Sequence, residues 1–126
     1  MGKKVISTKN APAAIGPYSQ GVDSGGTVYV SGQLPIDPKT GEFAGEDIAS
    51  QARQSLENVQ AVLAEAGLTL GHVVKATVFL KDMGDFAAMN GVYAQYFTEN
   101  CPARSAVQIA ALPKDALIEI EVIAVR

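Results

Sequence analysis

Two segments near the C-terminus carry charge where the pattern reads as β-strand. "ARSAVQI" contains Arg104, and "LIEIEVIAV" contains Glu119 and Glu121. An arginine held in such a place is a strong carboxylate receptor, because its planar guanidinium binds both oxygens at once. Other chemistries are poorly supplied. His72 is the only histidine and Cys101 the only cysteine, so a Ser-His-Asp or Cys-His system lacks parts and a zinc site lacks ligands. His72 reads as a surface or strand-capping residue, and Cys101 as an incidental, partly buried thiol. Neither a phosphate loop nor a dinucleotide-binding glycine motif is present.

Side chains of a strand alternate between faces. In the last strand Ile118, Ile120, Val122 and Ala124 form a core face, while Leu117, Glu119, Glu121 and Ile123 share the other. If the two C-terminal segments pair as a hairpin turning near Pro113, Val107 and Ile109 join Ile118 and Ile120 on the core face. Arg104 then lies opposite Glu121 and diagonal to Glu119. Two readings of that second face stay open. It is a wet face with an exposed ion pair, worth about 0–1 kcal/mol. Alternatively, since it also carries Leu117, Ile123 and Val125, it is covered by another subunit.

The elements that position these residues follow from periodicity. "VIST" is a short edge strand, and "TVYVSG" (27–32) follows a Gly-Gly turn and reads as a strand. "EDIASQARQSLENVQAVLAEAGL" is the clearest helix. Ile48, Ala52, Leu56, Val59, Leu63 and Ala66 lie on one face, Glu46 and Asp47 favour its N-terminal end, and Gly67 stops it. "VVKATVFL" (73–80) is a strand. "DFAAMNGVYAQYF" is a second helix, with Asp85 as N-cap and Phe86, Met89, Tyr93 and Phe97 at helical spacing. Gly91 costs that helix up to about 1 kcal/mol against alanine, which suggests a close approach by a neighbour. The order β-β-α-β-α-β-β implies an α+β domain with two helices on one face of the sheet.

The chain has 126 residues, 48% of them hydrophobic and 18% charged, with a net charge of -3. That suits one globular domain spanning 1–126. The acidic balance argues against a nucleic-acid partner. No apolar run approaches the roughly 18 residues that span a bilayer, and "MGKKVISTK" has no secretory h-region. The expectation is a cytoplasmic protein without a membrane partner.

"NAPAAIGPYSQG", "YVSGQLPIDPKTGE", "QARQSLENVQAVLAEAG", "VVKATVFLKDMGDFAAMN", "VYAQYF" and "PARSAVQIAALPKDALIEIEVIAV" together resemble the Rid (YjgF-like) family of imine and enamine deaminases, in its RidA-type form. The likeness covers nearly the whole chain. It implies a chorismate-mutase-like fold with a mixed sheet, a homotrimer, and clefts between subunits. It further implies hydrolysis of 2-aminoacrylate and related imines to 2-keto acids and ammonia, with no cofactor and no metal. Arg104 matches the arginine that holds the substrate carboxylate, and Glu119 the glutamate that positions or activates water. Tyr18, Ser31 and Gly32 match pocket residues, as do Asn90 and the backbone of Ala106. The family often has cysteine where Ala106 stands, so any thiol-dependent property is absent at that position. A trimer that binds keto acids or amino acids without turnover, as a regulatory module, is the alternative.

Overall fold

The computed structural model describes residues 2–126. Six strands form one mixed sheet: β1 (Lys3–Ile6), β2 (Gly21–Ser24), β3 (Thr27–Gln33), β4 (Val73–Leu80), β5 (Ala103–Gln108) and β6 (Ile118–Val125). Their spatial order is β1-β2-β3-β6-β4-β5. The helices are α1 (Ile48–Glu65) and α2 (Phe86–Tyr96). The sheet is antiparallel except at one edge, where β5 runs parallel to β4. The helix α2 makes the crossover that a parallel pair requires.

Helix α1 forms where its apolar stripe predicts. Ala52, Leu56, Val59 and Leu63 are fully buried, while Ile48 and Ala66 pack partly buried at the rim. Asp47 caps it, accepting from the Ser50 backbone N–H. At its other end Gly67, with φ of 78°, donates to Ala64 O while Leu68 donates to Leu63 O, the double bond of a Schellman stop. Against α1 lie Val28 and Val30 of β3 and Ile118, Ile120 and Val122 of β6, all buried. Two polar contacts clasp α2 to α1: Tyr96 donates to Glu57 at 2.7 Å, and Arg53 to Gln95 at 2.9 Å. Among the described residues no helix is long and apolar enough to cross a membrane.

Four expectations change. The C-terminal segments do not form a hairpin, because β4 lies between them. Ala76 stands opposite Val122 of β6 and Arg104 of β5, and Phe79 opposite Glu119 and Val107. Arg104 and Ala106 therefore share the helix-covered face, whereas Glu119, Glu121 and Val107 point to the other. Val107 is 41% exposed rather than in the core. Second, "GVDS" is an additional strand, β2, hairpinned to β3 through Gly25-Gly26. Third, Asp85 sits at the N-cap of α2 but its side chain makes no capping bond. Asp82 instead caps the short 3-10 turn Met83–Asp85 by accepting from Gly84. Fourth, among the described residues nothing approaches Gly91: a Cβ there meets no heavy atom within 4 Å. Its entropic cost to α2 is therefore uncompensated within the chain. Gly91→Ala should raise stability by roughly 0.5–1 kcal/mol, measured as a shift of the urea midpoint with unchanged slope.

Candidate functional site

Arg104 is half-buried at the β5 edge, beneath α2. Its Nη1 donates to Asn90 Oδ1 at 2.7 Å. Its guanidinium carbon lies 4.7 Å from the centre of the Tyr93 ring and 5.4 Å from that of Phe86. Phe86, Asn90 and Tyr93 are spaced four and three residues apart, so they form one stripe of α2. Gln108 fixes the turn that leads into α2 against the strand by accepting from the Met83 N–H at 2.7 Å. Ala106 lies two residues along β5 from Arg104, opposite Val78, partly buried against the core. Among the described residues no carboxylate comes within ion-pair distance of Arg104. A half-buried cation with an amide and two aromatic rings, and no counter-charge, is suited to an anion from outside.

The second group lies on the opposite face. Between the pairs Val30–Val122 and Gln33–Ile120 the register of β3 on β6 shifts, so Ser31 and Gly32 together face Glu121. This bulge brings the β3 backbone against Glu119. A Cβ on Gly32 would stand 2.7 Å from both Cδ and Oε2 of Glu119, so only glycine leaves the carboxyl its room. Ser31 ties in the preceding loop: its Oγ donates to Ser19 O at 2.6 Å and its N–H to Gln20 O at 2.9 Å. Tyr18, next to Ser19, is 53% exposed. Burial raises the pKa of Glu119 above its ordinary value, and the neighbouring Glu121 charge adds to the rise.

The structure thus sorts the expected residues into two sets. Arg104, Asn90 and Ala106 form one, and Glu119, Ser31 and Gly32, with Tyr18 on the attached loop, form the other. The sheet separates them. Roomier surface clefts lie elsewhere, one between Lys9, Asp37 and residues 54–64 of α1 and its flank. That cleft contains none of these residues. His72 accepts from the Thr69 N–H through Nδ1 in a capping box, as a local structural residue. Cys101 is exposed rather than partly buried. Among the described residues no group of three or more His, Cys, Asp or Glu is placed to hold a metal ion.

Comparison with known proteins assigns the chain. The endoribonuclease L-PSP family model matches residues 8–126. The chain belongs to that family. A Salmonella typhimurium protein named 2-iminobutanoate/2-iminopropanoate deaminase is 61% identical over 126 residues, covering 98% of each chain. The crystal structure of the YjgF gene product of Escherichia coli superposes with a TM-score of 0.93 at 60% identity, covering 98% of both chains. That of Escherichia coli TdcF with bound serine gives a TM-score of 0.94 at 55% identity and the same coverage. These matches bear out the family resemblance read from the sequence.

Sequence reasoning missed Phe86 and Tyr93 as neighbours of Arg104. Both were legible as members of the apolar stripe of α2, and only the parallel β4–β5 pairing brings that stripe over the arginine. The raised Glu119 pKa has a direct check. Glu119 should titrate above an ordinary glutamate in a carbon-13 NMR titration. Glu121→Gln, which removes the adjacent charge, should bring the midpoint down, and an unmoved midpoint would refute the coupling.

Proposed function

We propose that this protein is a hydrolytic deaminase acting on 2-imino acids and their enamine tautomers, releasing 2-keto acids and ammonia. The observation that carries the reading is Arg104, a half-buried guanidinium with no carboxylate partner among the described residues. The names of the full-length relatives support the same reaction.

The chemistry asks little of the protein. In a 2-iminium acid the C=N carbon is already electrophilic. Arg104 holds the carboxylate and so fixes that carbon. A water attacks it: the O–C bond forms and the C=N π-pair moves to nitrogen. Glu119, ionised, takes a proton from the attacking water. The protonated Glu119 then returns the proton to nitrogen, the C–N bond breaks, and the carbonyl forms as its oxygen passes the last proton to the departing ammonia, which leaves as ammonium. An enamine such as 2-aminoacrylate first takes a proton at its terminal carbon. A carboxyl with a raised pKa suits this shuttle, because its proton is held less weakly than usual near neutral pH. Ser31 and Gly32 hold the local backbone around Glu119, Tyr18 comes from the loop that Ser31 anchors, and Asn90 and the Ala106 backbone flank the carboxylate clamp.

Within one chain Arg104 and Glu119 face opposite sides of the sheet, so one substrate cannot meet both. We therefore place the complete site between subunits of a homotrimer, with Arg104 from one copy and Glu119 from its neighbour. The open sheet face supports this assembly. It presents Tyr29, Val107 and Val125, each more than a third exposed, beside Phe79 and Ile123, an apolar surface that a single chain leaves uncovered.

The test is a coupled assay in which a pyridoxal-phosphate dehydratase generates the imine and semicarbazide traps what survives. The native protein should lower the trapped imine, and Arg104→Ala should abolish the effect. A protein that binds 2-oxobutyrate yet leaves the trapped imine unchanged would instead be a regulatory module. Gly32→Ala, which displaces a flexible carboxyl rather than backbone, should leave the melting temperature nearly unchanged while cutting turnover about tenfold to a hundredfold. With Glu119 required in its ionised form, the acid limb of the rate profile should fall at higher pH than for an ordinary carboxylate. It should move to lower pH in Glu121→Gln.

A further inference from the structure

The hydrolysis derived above gives Tyr93 no task. Its side chain is only 6% exposed, and its hydroxyl is buried without a hydrogen-bond partner among the described residues. A buried phenol in that state is disfavoured against phenylalanine in the same place. The hydroxyl therefore does not account for the residue's position, and the ring does. Its centre lies 4.7 Å from the Arg104 guanidinium carbon. On the core side Phe97 packs against it, with ring centres 4.6 Å apart and planes tilted by 32°. The ring is thereby held in place by the helix on which it sits and by a second aromatic.

A guanidinium can be held in two ways. A carboxylate holds it by the N–H edge and occupies the donors that a substrate carboxylate needs. An aromatic face holds it through the ring quadrupole and uses none of that edge. Arg104 has the second kind of support: two rings, and one amide oxygen on Nη1. We propose that Tyr93 is the positioning residue for Arg104, its ring face fixing the guanidinium so that the remaining N–H edge is presented to the substrate carboxylate. The inference rests on the clamp role proposed for Arg104. Tyr93 itself touches no reacting atom, and its hydroxyl takes no part.

The test keeps the shape of the ring and changes only its charge distribution. Tyr93→Phe should leave kcat and KM within about twofold of native. Replacement of Phe at that position by its 4-fluoro, 3,5-difluoro and 3,4,5-trifluoro analogues drains the ring face step by step. KM for the 2-imino acid should climb along the series, reaching roughly threefold to tenfold, with kcat less affected and the melting temperature flat. A structural role alone predicts no such gradient. A flat KM across the series overturns the proposal, and so does a loss in Tyr93→Phe as large as that in the trifluoro variant, which would assign the role to the hydroxyl. Arg104→Ala separates the two ideas. If it abolishes turnover while the fluorinated series stays flat, only the Tyr93 role falls; if it leaves turnover as native, the clamp falls and the Tyr93 role with it.

Discussion

The parallel pairing of β5 with β4 decides on which face of the sheet Arg104 stands. It sets Arg104 opposite Ala76, and Ala76 opposite the buried Val122, so the guanidinium is carried under α2 with the core. The antiparallel ladder of β4 with β6 sets Glu119 opposite Phe79, on the open side. A pairing slipped by one residue would exchange the two faces of β5, placing Ser105 under the helix and Arg104 among the open-face residues. Helix α2 is both the crossover that makes the parallel pair possible and the source of Asn90, Phe86 and Tyr93. The strand order and the environment of the arginine are therefore one constraint rather than two.

Much of this was legible in the sequence. The stripe and caps of α1 are local signals, and local signals are read directly: Asp47 and Gly67 act where their residue types predict. The core face of β6 was readable from its alternation. The partner of β5 was not, because sequence proximity and a short connection favour a hairpin, while the β4-α2-β5 crossover depends on contacts distant in the chain. The pattern did contain a hint, since a strand, a helix and a strand in succession are the parts of a parallel unit. The face of Arg104 was misassigned for that reason alone. Strand β2 was hidden by its length and its mixed composition, although the Gly-Gly pair beside it marks a hairpin turn.

Buried polar side chains were the other silent class. Gln20, Gln51 and Asn58 look like ordinary surface residues in the sequence, yet each is almost wholly buried. Asn58 donates to Leu34 O and Ile36 O, which pins the loop after β3 to α1. Gln51 bridges Gly45 O and the Leu117 N–H, tying the start of α1 to the entry of β6. Gln20 accepts from Thr8 N and donates to Thr8 O, Ala11 O and Pro12 O, organising the loop that leads to Tyr18. These amides satisfy backbone groups of irregular segments, a task that depends on the three-dimensional path of the loop and leaves no periodic trace. They anchor the segment just after β3 and the entry of β6, on either side of the strand pair that carries Glu119.

On the proposed site between copies, the division of Arg104 and Glu119 between the two faces of the sheet has a genetic consequence. A site assembled from two copies belongs to neither of them. A subunit that has lost its arginine still lends a sound glutamate, and a subunit that has lost its glutamate still lends a sound arginine. Two inactive alleles expressed together would then rebuild about a quarter of the sites in randomly mixed assemblies. Inheritance of the function would follow the pairing of alleles rather than the integrity of either one.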